Sequence, residues 1–559
     1  MSLASATTAT SPSIWRGRIP GWISGPLFIF FSTLAISVQA FEAKIPNVVP
    51  IFDGAVANIA ALIFWFCSFL SLYVWFCFFS SYSSWVQRTA FWAPIGAVIV
   101  AVACLRYDGV DGYMKPTFVP RWTPRRGSAL VINQGQPKAD PGSGINDPAS
   151  PAARPAIDLK PETATDFPQF HGPERNNRVP DLEVTADWSL NPPRELWRKN
   201  IGPGWAGFVV RNGFAVTIEQ RGEEEWVTSY SLETGELLAH DAAPGRHFEP
   251  LGGLGPRSTP TIDGGLVYAQ GAAGLVRCID FASGKVVWQD DLMKRYNITQ
   301  ATGEREVSWG RTGSPLIAGD LVIVPAGGLG DNIKTLIAYD KATGRVVWEA
   351  GKEQIGYCSP VLATIGGVDQ VLYVSEESLA GYDLQDGRTL WQFAWPGSSS
   401  ADANVSQPMP LGGNRVLQTK GYGAGAVLLQ IARSVQGEFT ATPLWESNRV
   451  LKTKFTNVTV IGEYVYGLSD GVLECVELET GKSKWRRGRY GHGQLMGLKN
   501  QLVVLGESGE LTLVAADPAK FRELGQIQAL EGKTWNSLCV TGNRLLLRNG
   551  EQAVCYELK

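Results

Sequence analysis

The 559-residue chain has little histidine, four residues in all, and its eight cysteines are scattered. No two cysteines adjoin or form a C-x-x-C pair. His171, His240, His247 and His492 form neither H-x-x-x-H nor a mixed Cys/His cluster. A structural zinc site of the usual local spacing is thereby excluded, as is a dense disulfide framework. A basic stripe is missing too. Lys and Arg total 50 against 53 Asp and Glu; residues 1–165 hold 12 basic and 8 acidic side chains, and residues 166–559 hold 38 and 45. An acidic body repels a phosphate backbone, which excludes nucleic-acid binding.

Charge is scarcest at the N-terminus. Arg16, Arg18, Glu42, Lys44, Asp53 and Arg88 are the charged residues of the first 105, leaving uncharged stretches at 19–41, 54–87 and 89–105. About 20 apolar residues cross a hydrocarbon core, so residues 1–105 read as a membrane region of two to three transmembrane helices, making this an integral membrane protein. The first stretch fits an uncleaved helix, which its long polar leader favours, and also a late signal peptide. Orientation is contested. An N-terminus inside leaves Lys44, Arg106, Lys115, Arg121, Arg125 and Arg126 outside against Arg16, Arg18 and Arg88 inside; the positive-inside rule then prefers a cytoplasmic body, although long domains translocate regardless of such charge. Residues 106–165 place prolines 116, 120, 124, 137, 141, 148, 151, 155 and 161 among Gly, Ser, Ala and Asp, the composition of a disordered linker.

What the chain has in abundance is glycine (62) and tryptophan (19), and both recur with a period. CIDFASGKVVW ends at Trp288, AYDKATGRVVW at Trp348, GYDLQDGRTLW at Trp391 and CVELETGKSKW at Trp485; SYSLETGELLA is a copy ending at Ala239, and Trp197 and Trp445 mark the same place in degenerate units. Units of about 40–60 residues with four short strands each describe a β-propeller, and eight fit residues 166–559. The last unit lacks an outer strand, which RELWRKN (194–200) can supply. Asp280, Asp340 and Asp383 are placed to accept turn N–H groups. Gly235, Gly284, Gly344, Gly387 and Gly481 supply the positive φ of a tight turn. The Trp four residues on is placed to bury its ring between blades. Six residues before the glycine the position is small (Cys278, Ala338, Gly381, Cys475, and by alignment Cys555), so these cysteines read as packed residues and not as ligands.

The pattern resembles the PQQ-like β-propeller repeat, A-x-D-x-x-T-G-[KR]-x-x-W, which residues 338–348 match at every specified position. FPQFHGP (167–173) also looks like the opening segment of bacterial members. The resemblance covers about residues 166–559 and implies an all-β, eight-bladed propeller behind an N-terminal helical transmembrane region. Its members divide into quinoprotein dehydrogenases, which hold pyrroloquinoline quinone (PQQ) on the axis, and cofactor-free scaffolds of the BamB-like branch, expected on the periplasmic side of the cytoplasmic membrane.

The deciding residues lie at the funnel mouth. The innermost strands begin near RSTP, TGSP, YCSP and VSQP, and three positions before that Pro or its apolar counterpart fall Trp205, Arg257, Thr312, Tyr357, Val405, Phe455, His492 and Trp535, with Arg311 and Lys454 adjacent. Trp205, Arg257, Arg311, Tyr357, Lys454, His492 and Trp535 are the candidate funnel ring, mixed aromatic and basic, suited to a planar anion. A quinoprotein also needs a divalent metal on oxygen ligands, and the oxygens near the ring, Asp402, Asn404, Asn457 and Asn536, with Glu304 and Glu306 farther off, make no recognisable set. No vicinal Cys-Cys pair of the alcohol-dehydrogenase type occurs. The G-x-G-x-x-G at 202–207 leads into FVV and not into a helix, and the T-G-K-S at 480–483 is a blade turn, so neither is a nucleotide motif. The expectation is a membrane-anchored, non-catalytic scaffold with no catalytic residues, metal or cofactor, binding other proteins through rim loops, with Leu292–Trp309 and Trp395–Gln407 as contact loops. The alternative is a membrane-bound dehydrogenase oxidising a sugar or alcohol with PQQ and Ca²⁺ or Mg²⁺.

Overall fold

The computed structural model describes residues 23–41, 54–123, 156–188, 190–397 and 403–559, in two units divided at Thr123 and Pro124. In the first unit, helix Ser24–Phe41 packs on Gly54–Val74, and the interface is drawn in by Ala35, Ala57 and Ala61. Ser68 Oγ donates across it to the Phe28 carbonyl at 3.0 Å. A five-residue π-helix, Trp75–Phe79, extends the second helix, and Ser84–Cys104 follows. Ala55–Phe79 and Ser84–Cys104 are long and apolar enough to cross a membrane; Ser24–Ala40 is shorter.

Two ends of the expected linker depart from that expectation. Leu105–Val110 pairs with Pro116–Pro120 as an antiparallel hairpin, nucleated by Asp111, whose carboxylate accepts the Tyr113 and Lys115 N–H groups. At the other end Ile157 and Leu159, alternating as in a strand, bury themselves in the apolar cluster of Val209, Val216, Ile262 and Val267. Glu162 holds Arg211 at 2.5 Å. Residues 124–155 of the linker and 398–402 of the second contact loop, Asp402 included, lie outside the described residues.

Eight four-stranded antiparallel sheets make the second unit. Seven run in chain order as blades 1 to 7 (209–244, 261–291, 316–350, 361–394, 409–447, 459–489 and 494–528). Blade 8 takes its three inner strands from 539–557 and its outer strand from Arg194–Asn200, which pairs with Gln552–Glu557 and closes the ring.

The repeated residues act between blades. Trp197, Trp288, Trp348 and Trp445 each donate the indole N–H to a carbonyl in the next blade's outer turn: Leu232, Lys341, Leu384 and Leu478, at 2.8–3.0 Å. The turn glycine three residues on lies against that indole. A Cβ on Gly235, Gly344, Gly387 or Gly481 would stand 2.6–2.7 Å from a ring carbon, and all four have φ between +66° and +72°. Within each blade the small residue faces the Trp across the strands: Cys278 and Trp288, Ala338 and Trp348, Gly381 and Trp391, Cys475 and Trp485, Cys555 and Trp197. Asp340 accepts the Thr343 N–H at 2.8 Å; Asp280 and Asp383 do the same for Ala282 and Gln385.

Nearer the axis, the residue two before the inner strand of blades 2, 3, 4 and 6 supplies a side-chain oxygen to the blade before it. Gly207 N–H donates to Thr259 Oγ1 (2.8 Å), Thr259 N–H to Ser314 Oγ (3.0 Å), Ser314 N–H to Ser359 Oγ (3.0 Å) and Gln407 N–H to Asn457 Oδ1 (2.8 Å). Asn536 Nδ2 joins blade 8 to blade 1 through the Gly204 and Ala206 carbonyls. The Ser/Thr-Pro dipeptides are thus hydrogen-bonding stations, with the proline removing a donor that would have no partner.

Gly344→Ala is expected to destabilise the propeller by about 3 kcal/mol, combining left-handed backbone strain with the displaced Trp288 ring. Gly319→Ala, at φ +59° with open space around it, should cost about 1 kcal/mol. Equilibrium urea unfolding of both variants checks the difference.

Candidate functional site

In a four-stranded meander the loops leading into each inner strand and the turns between the second and third strands share one end of the ring. The predicted residues gather at that end, in two groups and two outliers. Trp205, Trp535 and Phe455 form a half-buried aromatic row: Trp205 to Trp535 is 5.0 Å between centroids and Phe455 to Trp535 is 4.7 Å. His492 continues the row 5.4 Å from Phe455 but is fully buried, so it supports the surface from beneath. Glu507 orients the row, accepting the Trp535 indole N–H at 2.8 Å and the His492 backbone N–H at 3.2 Å. Lys533 Nζ lies 4.4 Å from the Trp535 centroid and 5.5 Å from that of Trp205, a cation–π arrangement.

Tyr357 and Arg257 belong to the second group. Tyr357 stacks on Trp309 at 5.0 Å, and burial pushes its phenol up to about 12. Arg257 packs over Gly252, where an added Cβ would meet the guanidinium at 2.3–2.8 Å. His247 is buried beside it.

The other two expected ring cations are placed differently. Arg311 is buried, with Nε donating to the Ala326 carbonyl (2.8 Å) and Nη1 reaching that of Ala273 (3.4 Å); it ties blades 2 and 3 together and is no part of an open ring. Lys454 is buried against Gly421, its Nζ 5.6 Å from the Tyr422 centroid.

Residues outside the repeat complete this end, and spacing alone misses them. Lys533 sits two residues before a predicted position, Glu507 in a turn of blade 7, and His247 and Trp309 in the long connections around blade 2. The contact loop 292–309 is not a free loop. Asp291 and Thr299 cap short helices Leu292–Arg295 and Gln300–Glu306, and Leu292, Tyr296, Ile298 and Val307 are buried. Trp395, which opens the other, is buried beneath Lys420.

The opening segment FPQFHGP and the residues after it cross the axis. Phe167 exchanges backbone bonds with Val210 of blade 1, Arg175 donates to the Ser314 and Pro315 carbonyls at blade 3, Gln407 at blade 5 donates to the Arg175 carbonyl, and Val179 N–H donates to Gly497 of blade 7. The chain itself therefore fills part of the axial channel. Burial lowers the Arg175 guanidinium to about 9 and the His171 imidazole to about 3.

Among the described residues, the metal that the dehydrogenase alternative requires finds no donor set. Among the described residues no three His, Cys, Asp or Glu side chains converge. Asn404, Asn457 and Asn536 stand at three different blades and brace neighbouring backbone. Glu304 and Glu306 belong to the helix Gln300–Glu306. These residues do not fit a metal-bound quinone.

Comparison with known proteins locates the chain. A family profile described as outer membrane protein assembly factor BamB matches residues 191–487. The curated protein of that name from Yersinia pestis is 26% identical over 233 residues, 41% of this chain and 56% of its own length. The one from Moranella endobia (strain PCIT) is 24% identical over 264 residues, 46% and 63%. The chain thus spans less than two thirds of the length of these relatives. The crystal structure of BamB from Moraxella catarrhalis aligns with a TM-score of 0.48 at 15% identity, covering 66% of this chain and 100% of that one.

Buried neutral histidines make an acid-sensitive fold. Burial lowers His247 to about 4, His171 to about 3 and His492 well below 6.5. Unfolded histidines take up protons near 6.5, so these groups contribute stability that is present above that pH and is lost as pH falls toward the folded values. Urea unfolding at pH 7 and pH 5 should differ by on the order of 2 kcal/mol per histidine, and His247→Asn should reduce the slope by about one histidine's share.

Proposed function

The chain belongs to the family of outer membrane protein assembly factor BamB, and on that premise we propose that it is a non-catalytic propeller, anchored in the cytoplasmic membrane, that receives other polypeptides at its axial mouth in the cell envelope. The observation that carries this reading is the aromatic row Trp205–Trp535–Phe455 under Lys533. Half-buried rings with one cation, ordered by a buried carboxylate, make an adhesive surface of the composition found at protein interfaces, and nothing in the row is arranged to transfer a proton, hydride or acyl group. Support for the anchor comes from Ala55–Phe79 and Ser84–Cys104. A periplasmic propeller accords with the relatives' name, and a domain of this length crosses the bilayer regardless of flanking Lys and Arg.

A photo-crosslinking amino acid placed at Trp535 or Phe455 of the full chain, in cells, is expected to give covalent polypeptide adducts. The same probe at Val435, exposed on the outer hairpin of blade 5, should give few. Adducts no stronger than those at Val435 would overturn the reading. So would stoichiometric PQQ binding to the purified protein with Ca²⁺ or Mg²⁺ and substrate-dependent dye reduction.

A further inference from the structure

Blades 2 to 4 carry a second feature at the same end, joined to the aromatic row where the Trp205 indole N–H donates to the Gly252 carbonyl at 2.5 Å. Arg257 precedes the inner strand of blade 2, and its Nε and Nη2 are shielded from water with no hydrogen-bond partner. These two nitrogens form one edge of the guanidinium, with parallel N–H bonds spaced to meet both oxygens of a carboxylate. Glu249, the carboxylate that acts on Arg257 electrostatically, is spent on the Leu251 and Gly252 N–H groups, at 3.0 and 2.5 Å. His247, only 6% exposed, lies beside Arg257 and against the Trp309 backbone. The Trp309–Tyr357 pair stands alongside.

A shielded guanidinium edge with no acceptor is costly to maintain. Arg175 and Arg311 are also buried, and both donate to backbone carbonyls, not carboxylates. The charge balance selects the ligand. One free cationic edge, with Glu249 near Arg257 and Glu376 near Tyr357, matches a single negative charge; a phosphate dianion would meet both carboxylates.

We propose that the Nε/Nη2 edge of Arg257, beside His247, Trp309 and Tyr357, is a seat for one carboxylate. When the ligand is a polypeptide, the seat holds an acidic side chain or the chain end of the partner taken up at the mouth, and that part of the inference rests on the proposed function. The seat itself does not, because a free small carboxylate satisfies the same edge.

The test uses the purified full chain in detergent. Calorimetric titration compares tetra-alanine bearing a free C-terminal carboxylate with its C-terminal amide, and thermal unfolding is followed with acetate and with inorganic phosphate. The free-acid peptide should bind at least tenfold more tightly than the amide. Acetate should raise the unfolding temperature more than phosphate at equal ionic strength. Arg257→Gln should abolish both preferences, and Arg257→Lys, which keeps the charge but not the paired edge, should retain only a small part. Lys499→Gln, at an exposed lysine of blade 7 outside the mouth, should leave them in place. Because Arg257→Gln removes an uncompensated charge, it should fold at least as stably as the parent, so loss of binding is readable. An acetate effect that needs Arg257, without peptide discrimination, supports the seat and assigns it to a free carboxylate, even if crosslinking at Trp535 fails. Equal binding of acid and amide with no acetate effect, unchanged binding by Arg257→Gln, or preference for phosphate would overturn the proposal.

Discussion

Between blades the propeller depends on one contact made again and again: an indole lying on a turn glycine of the next blade and donating its N–H to a carbonyl three residues before that glycine. Each sheet alone is a small meander with two apolar faces, and it becomes stable only when both are covered. The Trp–Gly contact sets how closely neighbours approach, since the glycine has no side chain to hold the ring away. The small residue opposite Trp197, Trp288 and Trp348 lets the indole lie down, and Trp445 faces Leu428 instead. Around the axis the Ser, Thr and Asn oxygens repeat the link at closer range, so blades 1 to 4 and blades 5 and 6 are joined at their inner margins as well. Where the unit lacks its tryptophan, at Ala239, the inner link between blades 1 and 2 is still present through Gly207 and Thr259.

This division explains why so much of the fold was legible and so much of the site was not. Tryptophan, glycine and the small cross-strand residue obey constraints that recur from blade to blade, so they recur in the sequence. The outer strand RELWRKN could be assigned to the last blade because a ring leaves one strand missing at one end and one spare at the other. The site has no such redundancy. Side chains at the mouth leave from connections of different length, and their directions follow local packing. Arg311 and Arg257 occupy neighbouring places in successive repeats, yet the first turns into backbone carbonyls and the second presents an unused edge. Nothing in the spacing distinguishes them. The two short helices of 292–306 and the segment across the axis were equally hidden, because each occurs once.

The arrangement also bears on how the two branches of this fold differ. The blade contacts are indifferent to what happens on the axis, so the same scaffold serves a cofactor enzyme or an adhesive surface. Here the axial region is used by the chain's own Phe167–Val179, by buried guanidinium groups and by amides that brace the blades. The mouth is left with rings, one stacked lysine and a cationic edge, the composition on which the proposed polypeptide binding rests.

The strand that completes blade 8 has a consequence for biosynthesis. Arg194 bonds to Glu557 across 363 residues of chain, so the closing strand leaves the ribosome long before its partner exists. Blades 1 to 7 can form one after another from local hairpins, each docking on the one before. During that time the 194–200 strand and the open flank of the growing array both expose unpaired backbone, the edge that invites mispairing with another nascent chain. The strand Gln552–Glu557 therefore converts an open, association-prone stack into a ring, and a chain cut just before it loses that conversion while keeping nearly all of the fold.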